Sequence, residues 1–511
     1  MISAAQVYRR AGLAVRVPAM IMMMTVLRAS SALPGQSLQE NWKQCKSDDP
    51  EQSIRGCSAL IQSGQRTGTN LAKAFHDRGS AYARKGEYEH AIQDYDEALR
   101  LNPSLASTFY GRGWAYAHKA DYDHAIQDFD QALRVKPNFP EAFRERGIAY
   151  TYENKYDHAI QDYDQALRLN PSDAIAFYDR GLAYAHKGDY GQAIQDYNQA
   201  LRLSPTFANA FYGRGLSYAH KGDYERAIRD YDQALRINPN DADALIERGN
   251  VSRRKGDYDH AIQDYNHALR LNPSDADAFY NRGRAYECQG DYGRALSDYD
   301  QALRLNPNLA DALVMRGLAH TRNGNYDRAI QDFDQALLLK PNSAAAFYDR
   351  ARAYGYKGDY DRAIRDYDGA LRLNPNDADA LYGRGIAYAL YGDYERAIQD
   401  YNQALRLNPT YVEAFNNRGV EYARRGDYDG AIQDYNQAIR LNTHLATAFH
   451  NRSLAYAHKG EYFRAMADGG QFLWLKFGIP IRVCLLALAI AFGLAIKRFR
   501  RGPIRSQQSQ P

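Results

Sequence analysis

Large apolar residues return along most of this chain in a rhythm set by helices rather than strands. In the stretch from Ala174 to Phe207, Phe177, Gly181 and Tyr184 follow one another at four- and three-residue spacings, which puts them on one face of a helix beginning near Ala176 and running to Lys187. Gly188 then offers the left-handed conformation with which helices commonly end, and Asp189 supplies an oxygen to cap a second helix. Ala193, Tyr197 and Ala200 share a face of that second helix, which Pro205 closes by removing a backbone donor and pushing Ser204 out of the helical region. The predicted unit is a hairpin of two helices, A and B. Its large residues stay wet until a second hairpin stacks on it, so several units are needed for stability.

The same unit recurs. Pro103, Pro137, Pro171, Pro205, Pro239, Pro273, Pro307, Pro341, Pro375 and Pro409 stand 34 residues apart, and Thr443 holds the next slot. Units starting at 72, 106, 140, 174, 208, 242, 276, 310, 344, 378 and 412 carry a large apolar residue at position 4, Gly at 8, an aromatic at 11, Ala at 20, an aromatic at 24, Ala at 27 and Pro at 32, with few departures: Ser252 and His320 at position 11, Ala351 at position 8 and Thr443 at position 32. This pattern resembles the tetratricopeptide repeat, a 34-residue helical hairpin. The resemblance implies an all-α fold, an α-solenoid in the form of a right-handed superhelix, with eleven units over 72–445. A degenerate twelfth unit over 446–475 has Phe449, Ser453, Tyr456 and Ala465 in place but Gly469 where an aromatic belongs.

In this family helix A lines a concave surface on which an extended ligand is read, and positions 5 and 13 point into it. That makes Tyr110, Tyr178, Tyr212, Tyr280, Tyr348 and Tyr382 at position 5, and His186 and His220 at position 13, the candidate partner-binding residues. Arg recurs at position 7 from Arg78 through Arg180 to Arg452, and Asp at position 23, as in Asp94, Asp196 and Asp434. The pair departs from the family's usual Leu at 7 and is expected to join helices A and B and fix their register.

One period upstream, a window from Leu38 places Cys45 at position 8 and Cys57 at position 20, the slots of closest helix approach. Residues 33–71 are therefore expected to form a degenerate cap repeat, held by a Cys45–Cys57 disulfide if the protein is exported and containing two buried reduced thiols if it is not. Cys288 and Cys484 are isolated and suggest no metal site.

The net charge of +4 conceals basic ends around an acidic middle, and an acidic middle argues against nucleic acid as partner. Residues 1–32 have Arg9, Arg10 and Arg16, an apolar stretch from Val17 to Leu27, and Ser30-Ser31-Ala32, the order of a secretory signal peptide. An uncleaved anchor, or a cytosolic start that would leave the protein in the cytoplasm, is the alternative, because Arg28 interrupts that order and Pro18 shortens the helix. Phe477 to Ile496 can reach across a bilayer as a transmembrane helix with Arg482 near one interface, and the basic tail 497–511 would stay in the cytoplasm. The other reading of this segment is a helix that covers the end of the stack.

Metalloprotease, zinc and phosphate-loop motifs are missing from the sequence, so no catalytic residue, metal or cofactor is assigned. The expected function is a protein–protein interaction scaffold or adaptor that holds a protein or peptide in the groove, anchored in the cell envelope with the solenoid in the periplasm. The competing reading is a spacer or self-assembling scaffold without a defined peptide ligand.

Overall fold

The computed structural model describes residues 37–64 and 67–478. The described residues form 26 α-helices and no strand. The chain divides into two units, residues 1–273 and 274–511. The first holds a short hairpin, Leu38–Cys45 with Pro50–Gln62, and then six full hairpins from Thr69–Arg84 with Tyr88–Leu101 to Ala242–Arg254 with Tyr258–Leu271. The second holds six more, from Ala276–Cys288 with Tyr292–Leu305 to Ala446–His458 with Tyr462–Phe477.

The hairpin at 174–203 shows why these residues fold this way. The Asp173 carboxylate accepts from the backbone N–H groups of Ile175 and Ala176 at 2.9 and 3.0 Å and starts helix A. Gly188 ends it at φ 87°, and Asp189 accepts from Gln192 N–H at 3.1 Å to start helix B. Side-chain caps of this kind typically contribute about 1 kcal/mol each. Ala120 and Asn154 take the same left-handed turn at φ 61° and 59° without being glycine.

Among the described residues the apolar side chains gather in clusters along the stack, one of them Tyr178, Ala193, Tyr197, Ala200, Leu201 and Ala210. Tyr197 is fully buried and lies between two glycines: a Cβ on Gly181 of its own helix A would meet its ring at 2.9 Å, and one on Gly213 of the next hairpin would meet it at 2.8 Å. The small residue at position 8 therefore makes room for a ring as well as for a neighbouring helix.

Arg at position 7 joins three helices. Arg180 donates from Nε and Nη2 to both carboxylate oxygens of Asp196 on helix B, at 2.8 and 2.6 Å, and from Nη1 to Asp164 on the preceding helix B at 2.5 Å. Arg112, Arg146, Arg316, Arg350 and Arg384 repeat the arrangement with Asp96, Asp130, Asp300, Asp334 and Asp368 as third partners. All twelve position-23 aspartates are only 4–7% exposed, so this is not the exposed pairing that a surface Arg–Asp contact would be. Burial raises the pKa of Asp128, Asp162, Asp196, Asp366, Asp400 and Asp434 while the bound guanidinium pulls it down.

The first hairpin is shorter than the 34-residue frame suggests. Its helix A stops at Cys45, because Asp49 caps a helix B that Pro50 opens at its first position. A disulfide joins Cys45 and Cys57 with a Cα–Cα distance of 4.5 Å. At the other end helix B of the last hairpin is intact over Tyr462–Phe477 in spite of Gly469, and Gly478 ends it at φ 67°. Phe477, expected to begin a membrane span, thus belongs to a repeat helix. Among the described residues no helix is long and apolar enough to cross a membrane. The rest of the expected span to Ile496, the basic tail 497–511 and the signal sequence 1–32 lie outside the described residues.

Removing one partner of a buried charge pair costs about 3–5 kcal/mol because the other charge is stranded. Arg180→Met is accordingly expected to strip more hydrogen-exchange protection from residues 174–203 of the full chain than Arg180→Met with Asp196→Leu. Equal losses in the two variants would show that the node is ordinary packing.

Candidate functional site

The twelve position-7 nodes fix which helix faces are spent on neighbours. Position 17, the first residue of helix B, is Tyr in every full hairpin, and in several hairpins the residue at position 13 of the following helix A lies on it. His186 stacks on Tyr156 at 5.5 Å between ring centroids, His220 on Tyr190 at 4.6 Å and His458 on Tyr428 at 5.0 Å, all nearly parallel. Tyr152 on Tyr122 and the guanidiniums of Arg322 over Tyr292 and Arg424 over Tyr394 serve the same end. His186 and His220, expected to read a ligand, are thus built into contacts between hairpins, and burial lowers the pKa of both.

The position-5 tyrosines divide. Tyr178 and Tyr212 are each 6% exposed and pack on Tyr197 and Tyr231 of their own helices B. Tyr280 and Tyr348 are half-buried against Tyr299 and Tyr367, with the guanidiniums of Arg284 and Arg352 over their rings. Tyr110 and Tyr382 line clefts.

Tyr110 belongs to a cleft of about 350 Å³ in the first unit, with His76, Ser80, Arg84 and Trp114. Burial lowers the His76 pKa to about 4, so the ring is neutral at pH 7 and shares a hydrogen bond of 3.0 Å with Thr108. Tyr382 belongs to a larger cleft of about 560 Å³ in the second unit, formed by helices A of its last three hairpins and by Phe472 and Lys476 of the final helix B. Here three carboxamides run in series. Asn451 donates to Asn416 at 3.0 Å, Asn416 to Asn417 at 3.2 Å, and Asn417 to the Tyr382 hydroxyl at 3.0 Å. Burial raises the Tyr382 pKa to about 12, so this phenol stays neutral and able to accept. Each carboxamide spends one of its two N–H donors within the row.

Asparagine was not among the residues expected to bind. The signal was present, because Asn416-Asn417 and His450-Asn451 stand at positions 5 and 6, where five of the other ten units read Tyr-Gly or Tyr-Asp. Among the described residues no group of three His, Cys, Asp or Glu side chains could hold a metal.

One acid on the helix-A face is out of the ordinary. Asp179 at position 6 is 4% exposed, and its Oδ2 has no hydrogen-bond partner among the described residues. Burial raises its pKa to about 8 against the opposing pull of Arg144.

Tetratricopeptide repeat family models match residues 144–208, 280–346 and 348–412, residues 106–139, 208–241 and 412–444, and residues 230–263, and a TPR repeat model matches 79–120 and 249–290. The chain belongs to the tetratricopeptide repeat family, whose members commonly bind proteins or peptides and whose fold is typically a non-enzymatic interaction scaffold. No curated protein matches the sequence. Among solved structures, a tetratricopeptide repeat protein from Parabacteroides merdae is 25% identical over 48% of this chain and 98% of its own, with a TM-score of 0.40. YrrB, described as a TPR protein with an unusual peptide-binding site, is 26% identical over 37% of this chain and 97% of its own, with a TM-score of 0.33. The Cut9–Hcn1 hetero-tetramer of APC/C matches at 15% identity over 88% of this chain and 95% of that one, with a TM-score of 0.42. At these scores the likenesses say nothing further about this chain.

The fold raises the Asp179 pKa, so the folded chain keeps a proton there that the unfolded chain releases near pH 4. Stability therefore falls as pH rises from about 4 to about 8. Asp179→Asn should flatten this dependence and raise the melting temperature at pH 9 more than at pH 5, as read by scanning calorimetry. A uniform shift at both pH values would mean that Asp179 ionises normally.

Proposed function

We propose that this protein is an adaptor that holds an extended peptide segment of a partner along the helix-A face, and that the Asn451–Asn416–Asn417–Tyr382 row is its main contact. A carboxamide presents the same donor and acceptor as a peptide group. A row of them beside a cleft of about 560 Å³ suits the backbone of an extended chain, with Phe472 and Tyr382 to meet apolar side chains and Lys476 to meet an acid. The hydrogen-bonded row is the observation that favours this reading, since the row of tyrosines and histidines first expected is largely used in packing.

The buried Cys45–Cys57 disulfide supports a working place outside the reducing cytoplasm. The periplasmic side of a cell envelope fits that chemistry and the order of residues 1–32.

Random twelve-residue peptides displayed on phage and selected on the full chain test the proposal. Selected peptides should bind the Asn416→Ala/Asn417→Ala/Asn451→Ala variant at least tenfold more weakly, while Arg202→Ala, on an exposed stretch of helix B in the other unit, binds as before. Undiminished binding to the triple variant, or a failure to select any peptide, would favour a spacer without a peptide ligand.

A further inference from the structure

Every helix B of the six full hairpins in the first unit ends on the same two residue types, an Arg at position 29 and a Val, Leu or Ile at position 30. Arg134, Arg168, Arg202, Arg236 and Arg270 are exposed. Their neighbours Val135, Leu169, Leu203, Ile237 and Leu271 are 38–42% exposed. In the second unit Leu338 interrupts the row and Trp474 ends it.

A carboxylate one helical turn before an arginine ordinarily pairs with it. Here that carboxylate is already engaged. Asp130, Asp164 and Asp232, four residues before Arg134, Arg168 and Arg236, are taken by Arg146, Arg180 and Arg248 of the following hairpins. Arg202 and Arg270 have the neutral Asn198 and Asn266 in that place. Asp173 and Asp241, five residues after Arg168 and Arg236, accept from the backbone of the helices A that they cap. Among the described residues Arg100 alone in this row forms an ion pair, with Glu97. The position-7 nodes that set the register therefore leave guanidiniums uncompensated in successive hairpins, each beside an aliphatic side chain open to solvent.

A cation on the last turn of a helix meets the partial negative charge of its free carbonyls, and lysine would serve that end as well. Arginine adds a planar fork that fits a carboxylate. We propose that this edge of helices B in the first unit binds an extended acidic segment of a partner protein. Its Asp or Glu side chains lie on the guanidiniums, and apolar side chains between them meet the position-30 aliphatics. A nucleic acid or other phosphate polymer supplies the charge without the apolar side chains that the second half of the pattern calls for. The inference goes beyond the adaptor reading and does not rest on it, since the carboxamide row belongs to the second unit and peptides held there are indifferent to these arginines.

Fluorescence anisotropy on the full chain, with a labelled twenty-residue peptide of repeating Glu-Leu-Glu-Gly as probe, tests it. The peptide should bind with an affinity that falls as salt rises. It should bind the Arg134→Gln/Arg168→Gln/Arg202→Gln/Arg236→Gln variant at least tenfold more weakly. The corresponding fourfold Arg→Lys variant keeps the charge at the helix ends, so it should melt with the parent chain and still bind at least threefold more weakly. A Glu-Ser-Glu-Gly peptide should lose at least threefold on the parent chain. Equal binding of the first peptide to the parent and to the Gln variant overturns the proposal. Equal binding of the two peptides overturns it too, because the row would then attract any polyanion.

Discussion

The contact on which the architecture turns is the guanidinium at position 7, held in a fork by the Asp at position 23 and touched from behind by the preceding hairpin. A bidentate arginine–carboxylate pair tolerates little rotation of either helix, so helices A and B must meet at one phase. The third contact extends this demand to the neighbour. Insertion of a residue in either turn would swing the fork out of reach, which gives a physical reason for a period of 34 without exception from Pro103 to Pro409. Burying the carboxylate works against the pair's net energy. Its contribution is to specify register, while the energy comes from the rings and small residues that this register brings together.

Once the register is fixed, most conspicuous side chains have a structural task. Tyr197 fills the space above Gly181 and below Gly213, and Tyr156 and Tyr190 form the floors on which His186 and His220 lie. What is left for a partner is the part of the helix-A face not needed by the next hairpin. In the second unit that is where Asn416, Asn417 and Asn451 replace the usual residues, beside Phe472, which occupies a slot held by Ala elsewhere. Departures from the repeat therefore point to the candidate site better than the repeated residues do.

The fold was legible because its period is written in proline and glycine and because the Arg and Asp rows stand in plain view. The site was less so, since a single unit does not show which of its faces meets the next one. Position 13 looked free within its own hairpin, and its partner at position 17 lies 30 residues upstream. Position 5 looked open until Tyr178 was found over Tyr197. The short first hairpin escaped the frame because Asp49 and Pro50 start a helix earlier than the period requires, a local signal that outweighed the repeat.

Position 6 shows how an interior residue can decide what the groove offers. Gly213 and Gly383 are needed where they stand, because a Cβ would come within 2.9 and 2.6 Å of the Tyr197 and Tyr367 hydroxyls. Where the preceding position 24 is Phe129 or Phe333, with no hydroxyl, position 6 carries Glu145 and Asp349. Asp179 follows a tyrosine, yet the Tyr163 hydroxyl is drawn to Thr151 at 3.2 Å, and the acid finds room. The hydroxyl alone does not decide the residue, because Glu247, Asn281, Met315, Asn417 and Asn451 also follow tyrosines at position 24 of the preceding unit. A solenoid of near-identical repeats can acquire a specific groove through such hidden choices, with no alteration to the arginine nodes that hold it in register.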